Sequence, residues 1–435
     1  MTTVIETPKR TNRTHPVESA PPVSPGNRYE LKAETEQGER LVAIAEELAG
    51  EFATRAAEHD SDGSYPFEAI ETLKARGYFS AQFPEELGGL GVTSVRDVLI
   101  ASSRLARGDA SVTIGVNMHL ATAGNFARRY QMAVAAGGGR KAAAFGEAIR
   151  ALSRSGAVIA AAISEPGQNL AKPSTTARRT ADGWVINGRK IFCTMSPAAT
   201  TIMVGVTVKD PDRGELYSYA MVPSDTPGIV YHDDWDALGM RASGSQSISF
   251  EDVHIEEPAI RGGFPIGETA AYLERNLTAG AFHAAASLGI AESAHHLAVT
   301  SLIVRRKGGG AESPTNLMMV AQNAVDLAAM RAMFDRAGRL IDGYYAEHPT
   351  DEGTTEEVAT VFAEVQAAKA FINEASVRVV DRALTLSGGA GYMNKHPLSR
   401  AYRDVRAGAF MHPLGANRAY EFIGQVAAGL EPSLG

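Results

Sequence analysis

The 435 residues carry 42 Lys and Arg against 50 Asp and Glu, a formal charge of −8, with 44% hydrophobic residues. A chain of that size buries ample core and divides into two or three domains, and its acidic balance excludes an electrostatic footprint for nucleic acid. The one cysteine, Cys193, excludes an intrachain disulfide and a cysteine-based zinc cluster; with no apolar signal core and no run of 18 apolar residues, a soluble, cytoplasmic protein is expected, with no membrane partner.

Residues 1–35 are rich in Pro, Ser and Thr and lack apolar periodicity, which predicts a disordered arm. Residues 36–155 predict a helical domain. Leu41, Ile44, Leu48 and Phe52 recur at three- and four-residue steps, and Pro66 opens a second helix with Phe67, Ile70 and Leu73 on one face and Gly77 closing it. Helical patterning continues past the loop "PEELGGLG" at 84–91. From 156 to 265 the pattern changes to short β-branched runs, "TIMVGVTV", "YSYAMV" and "SISFEDVHI". Asp182-Gly183 and Asn187-Gly188 are both read as hairpin turns, predicting an antiparallel β domain. Residues 266–435 return to long Ala-rich helical segments joined by short polar loops, as in a four-helix bundle.

Four motifs in order, "PEELGGLG", "ISEPG" with "NGRKIFCT", "LGMRASGSQSISFEDVHI" and "LSGGAGYMNKHPLSRAYRD", resemble the acyl-CoA dehydrogenase superfamily over about residues 40–430. The fold implied is α+β: an N-terminal helical domain, a central antiparallel β domain and a C-terminal four-helix bundle. The resemblance further implies a flavin, FAD or FMN, and a homodimer or homotetramer that completes the flavin sites across subunits. On that pattern Ser164 and Thr194 lie against the flavin ring, and Phe192 takes the place of a tryptophan packed on it. Arg305 stands where the family grips the flavin pyrophosphate, and Gly388, Gly389 and Gly391 let backbone approach the cofactor. Departures are plain: "EPGQNLAKPS" lacks the family's "GSD", "GGG" at 308–310 replaces "FG", and Thr385 replaces a glutamine.

The family's catalytic glutamate falls at His412 here, in "FMHPLG". A second family position for the base is approached by Glu274. With Gly289 as anchor and an unbroken helix to Arg305, however, the expected position is Ala279, five residues further on, so Glu274 reads instead as a helix-start carboxylate. His119 in "NMHLATA" is similar to a histidine of reduced-flavin monooxygenases on the same fold, such as the dibenzothiophene monooxygenase and the phenol hydroxylase of steroid-ring degradation. Those enzymes also carry a histidine near the position of His412. Imidazole, with an unperturbed pKa near 6.5, suits proton movement in both directions at neutrality. His283, His295 and His296 lack metal-ligand spacing and are read as structural.

Three readings follow, with the first preferred. In the first, a monooxygenase takes reduced flavin from a flavin reductase and uses O2 on a small aromatic, sulfur or amine substrate, with His119 and His412 handling protons. In the second, an acyl-CoA or acyl-carrier-protein dehydrogenase uses Glu274 or His412 as base and an electron-transfer flavoprotein as partner. The third is a flavin-binding regulator or nucleic-acid-associated member without turnover, which the acidic balance disfavours.

Overall fold

The computed structural model describes residues 30–167, 171–260, 263–309 and 313–434. Most of the expected arm, residues 1–29, lies outside them. Residues 30–35 do not continue it: the Asp97 carboxylate accepts the backbone N–H groups of Glu34 and Thr35 and the Thr35 hydroxyl, and Glu30 pairs with Arg107 at 3.1 Å. Buried acceptors hold this extended stretch where composition alone suggested none.

Six helices form the N-terminal layer: α1 (Glu36–Ala53), α2 (Ala56–Asp62), α3 (Phe67–Ala75), α4 (Val95–Ala106), α5 (Ala110–Ala135) and α6 (Gly139–Ser155). The expected face of α1 is buried at Leu41, Leu48 and Phe52, whereas Phe67 at the start of α3 is exposed. Every residue of α4 is buried, because it packs on α1 and on two helices of the C-terminal bundle. Its first turn takes a distant cap: Asp342 accepts from the Ser94 hydroxyl and from the backbone N–H groups of Val95 and Arg96, at 2.7–3.3 Å. An N-terminal turn leaves amide groups without intrahelical acceptors, and a carboxylate satisfies them.

The middle layer is one sheet of β1 (Ile159–Ala162), β2 (Thr176–Arg179), β3 (Gly183–Cys193), β4 (Thr201–Asp210), β5 (Gly214–Pro223), β6 (Ile229–Tyr231), β7 (Gln246–Glu256) and β8 (Phe264–Pro265). Its order is β6-β7-β3-β2-β4-β5-β8, with β1 also on β4. The sheet is mixed, since β1 and β2 both run parallel to β4; alternation within single strands carries no information on that pairing. Asp182-Gly183 does connect β2 to β3. Asn187-Gly188 lies inside β3 at a register shift against β7, where the Asn187 side chain exchanges hydrogen bonds with Asp252 at 2.9 Å. A turn-like dipeptide is here a bulge.

The C-terminal layer is α7 (Thr269–Arg275), α8 (Ala279–Lys307), α9 (Pro314–Glu347), α10 (Thr355–Ser387), α11 (Pro397–Asp404) and α12 (Ala416–Ala427). The long α8, α9 and α10 form the bundle with α12 packed on α10, and a Thr354–Glu357 capping box starts α10. The segment read as one helix from Glu274 to Arg305 is broken at Asn276, which caps α7. Ser287 on α8 donates to the Asn373 side chain on α10 at 2.8 Å, and Ser376 donates to the Ser287 carbonyl at 3.0 Å, locking the two helices in register. No helix among the described residues is long and apolar enough to cross a membrane.

Candidate active site

His412 sits on the short loop between a 3-10 turn, Val405–Phe410, and α12. That loop is fixed from below by Lys369 of α10, whose ammonium donates to the carbonyls of Met411 at 2.6 Å, Leu414 at 2.8 Å and His412 at 3.4 Å. Burial pushes the Lys369 amine down to about 7. The half-buried His412 places Nε2 3.1 Å from Oδ1 of Asn276. The Asn276 amide donates to the Tyr272 carbonyl at 2.8 Å, an arrangement that turns Oδ1 toward the imidazole. Nε2–H therefore donates, and Nδ1 keeps a free lone pair; this tautomer follows from the hydrogen-bond network. Burial first, and then the Lys369 charge, push His412 down to about 3. The expectation of an imidazole near 6.5 is corrected: at neutral pH this ring is uncharged and acts as an acceptor.

Two further groups were missed in the sequence, one facing His412 and the other about one turn before Lys369 on α10. His283 of α8 is buried with both ring nitrogens unpartnered, and burial holds it well below 6.5, with Lys369 and His412 adding to the effect. Gln366 of α10 is fully buried with neither amide atom hydrogen-bonded. The available signal was a histidine within the otherwise small and apolar "AFHAAASLG". Lack of metal-ligand spacing led to its reading as structural, yet nothing satisfies it.

His119 is corrected in the opposite direction. Its Nε2–H donates to the Phe79 carbonyl at 2.7 Å, its Nδ1 accepts the Ile159 N–H at 3.0 Å, and its ring meets Phe79 edge-on at 4.7 Å. Both nitrogens are engaged with backbone, and burial pushes the ring down to about 4. It joins α5 to β1 and to the loop after α3, and no nitrogen is left to pair with His412.

Glu274 is not a helix-start carboxylate, because it lies at the C-terminal end of α7. It is 1% exposed and bridges Arg128, at 3.4 Å, and Arg129. Arg129 continues to Glu352 at 2.6 Å, which also pairs with Arg275. Two guanidinium groups thus hold this carboxylate in a buried ion-pair network, in place of the expected helix-start position.

The residues implied for the flavin fall in two groups. At the edge of the sheet, Phe192 adopts φ +56° and leaves 59% of its surface exposed, edge-on to Trp235 at 6.1 Å. The Ser164 carbonyl accepts from the adjacent Ile191 N–H at 2.9 Å. The hydroxyls of Thr194, Ser245 and Ser243 form a chain with steps of 2.9 and 2.7 Å. An exposed aromatic face beside buried hydroxyls fits a flat heteroaromatic ring with polar edges. At the other place, Arg305 donates to the Leu386 carbonyl at 2.5 Å, closing the end of α8 onto the end of α10. There Gly388, with φ +66°, turns the chain out of the helix. A side chain at Gly388 or Gly389 would meet nothing within 4 Å, whereas one at Gly391 would strike Ser387.

The models of acyl-CoA dehydrogenase N-terminal, middle and C-terminal domains match residues 35–131, 160–253 and 281–413. Amino sugar nitrososynthase DnmZ of Streptomyces peucetius is 30% identical over 403 residues, covering 91% of this chain and 94% of the relative. The structure of KijD3 in complex with FMN and dTDP-3-amino-2,3,6-trideoxy-4-keto-3-methyl-D-glucose superposes with a TM-score of 0.84 at 30% identity, covering 92% of this chain and 96% of that one. FMN-bound TdsC from Paenibacillus sp. A11-2, at 23% identity and a TM-score of 0.77 over 91% and 99% of the two chains, shares the fold. Three domain models in chain order, over the three layers just described, place this chain in the acyl-CoA dehydrogenase family.

Proposed function

We propose that the chain is a flavin-dependent oxygenase acting on the amine of a small polar substrate of the amino sugar nucleotide class, rather than a dehydrogenase of acyl thioesters. The observation that carries this reading is the neutral imidazole of His412 at the family's base position, while the nearby alternative, Glu274, is locked between Arg128 and Arg129. Removing an α-proton from a thioester calls for a base whose pKa approaches the operating pH. A ring held near 3 is a weak base for that task. An amine is itself the nucleophile, and its oxidation needs an oriented N–H, a hydrogen-bond acceptor and exclusion of water. The relatives named nitrososynthases and the FMN and sugar-nucleotide complex of KijD3 support the same reading.

Bound FMN would supply two electrons to O2, and the balance is amine plus O2 plus two electrons and two protons giving hydroxylamine plus water. In this chain Nδ1 of His412 would accept the hydrogen bond of the substrate amine, and Asn276 would hold the ring in its tautomer. Lys369 positions the loop that carries it. Phe192 would wall the ring system, with Thr194 and the Ser164 turn at its polar edge. Arg305 and the Gly388, Gly389 and Gly391 turn would face the phosphate-bearing tail, brought to the sheet edge by a second subunit. A separate flavin reductase completes the system, and a homodimer or homotetramer is the assembly proposed.

The test supplies FMN through an NADH-dependent flavin reductase and offers the dTDP-3-amino-4-keto sugar bound by KijD3. The reading predicts an O2-dependent product that has gained oxygen at nitrogen, seen by mass spectrometry. No oxidised sugar in air, together with anaerobic conversion of an acyl-CoA to its enoyl form with a dye acceptor, refutes it.

A further inference from the structure

Helices α8 and α10 run side by side in the same direction. Ser287 bonds Asn373, 86 residues apart, and Gly280 lies against Gln366, whose Nε2 would be 2.6 Å from a Cβ on that glycine, the same offset. Carried along the helices, this register sets His283 opposite Lys369, the residue that clamps the His412 loop. The faces therefore present two rungs without internal partners, Gln366 and His283, directly beside rungs that are fully bonded. Burying polar groups without partners is unfavourable, and such groups in a folded interior call for an explanation. The absence of a side chain on Gly280 lets the Gln366 amide reach the face of α8, yet it finds no acceptor or donor there.

We propose that His283 and Gln366 form a substrate-recognition subsite adjoining His412, which takes the hydroxyl, keto or amino groups of a polar substrate body rather than a hydrocarbon chain. This rests on the oxygenase reading and names the chemistry that its site selects. Neutral His283 offers one donor and one acceptor, and Gln366 offers two donors and an acceptor. A deoxy amino sugar presents matching groups around a small ring. A hydrocarbon would leave all of them unpaired, and a site built for hydrogen bonds discriminates strongly against a ligand that lacks them. Lys369 contributes by disfavouring protonation of both imidazoles, which keeps an acceptor lone pair on each.

The experiment titrates FMN-loaded protein with dTDP-3-amino-2,3,6-trideoxy-4-keto-3-methyl-D-glucose and, separately, with octanoyl-CoA, by calorimetry. The proteins are wild type, His283→Leu, Gln366→Leu, Gly280→Ala and His283→Asn. Each of the first three substitutions is expected to weaken sugar-nucleotide binding at least tenfold with FMN affinity unchanged, and His283→Asn to recover part of it. The two leucine variants should melt at the wild-type temperature or above, because an apolar group replaces an unpartnered polar one. Variants that bind and oxidise the sugar as wild type does overturn the subsite and leave the oxygenase reading standing. So does a lowered melting temperature with parallel loss of FMN, which marks mere packing. Wild-type protein that ignores the sugar and is reduced by octanoyl-CoA overturns both.

Discussion

Replacing Glu274 by Gln separates a structural carboxylate from a catalytic one. Glutamine keeps the volume and one acceptor but removes the charge that faces Arg128 and Arg129 inside the protein. Taking away one partner of a buried ion pair costs about 3–5 kcal/mol, because the remaining charge stays desolvated. Two features here favour the lower end: Arg129 retains Glu352, and Arg128 also donates to the carbonyls of Tyr345 and His348. Unfolding entropy of roughly 2.1 cal/mol/K per residue gives a chain of this length on the order of 0.9 kcal/mol/K, so about 3 kcal/mol lowers the melting temperature by about 3–4 K. Scanning calorimetry reads that shift, and steady-state turnover of the folded variant should stay within about threefold of wild type. A fall in kcat of about a thousandfold or more with an unchanged melting temperature refutes the structural assignment and restores Glu274 as the base.

Changing His412 to Ala should lower kcat by about a hundredfold with little change in FMN affinity; turnover within twofold of wild type removes this residue from the reaction. His119→Phe removes the partners of the Phe79 carbonyl and the Ile159 N–H, and should cost about 2–5 kcal/mol in urea unfolding while the folded fraction turns over normally. The same residue predicts an acid response. Its pKa falls from 6.5 to about 4 on folding, so the unfolded chain binds more protons between those values and stability drops as pH falls through that window. From pH 6.5 to 5 the loss assigned to His119 is about 2 kcal/mol, and it should vanish in His119→Phe. Lys369→Met removes both the loop clamp and the nearest cation, so the acid limb of the pH–rate profile, set by His412, should move to higher pH; an unmoved limb refutes the coupling.

The layered architecture was legible because it rests on local signals: the three-and-four spacing of Leu41, Leu48 and Phe52, the β-branched runs of β4 and β7, and Ala-rich helices long enough to form a bundle. What failed rested on partners distant in sequence. Asn187-Gly188 has the composition of a turn, and only the opposing Asp252 makes it a bulge. Glu274 was placed by counting along one helix, and the break at Asn276 both relocates the carboxylate and supplies the residue that orients His412. His119 is fully hydrogen-bonded and His283 is not, for the same reason. Whether a buried imidazole is satisfied depends on a carbonyl 40 residues away in one case, and in the other on the register of two helices. Neither is written in the neighbouring residues.

The cap on α4 has a consequence for how the protein is made. Its first amide groups wait for Asp342, which follows them by 246 to 248 residues, and Arg96 in the same turn waits for Asp335. Ribosomal synthesis at about 5–20 residues per second separates the two by some tens of seconds. During that interval α4, destined for complete burial, has only its local Ser94 cap and lacks both the Asp342 carboxylate and the two bundle helices that cover it. The N-terminal helices should therefore not survive as a separately expressed fragment. In the growing chain they form an interval of exposed apolar surface that ends only when α9 leaves the exit tunnel, a window in which chaperones have most to bind.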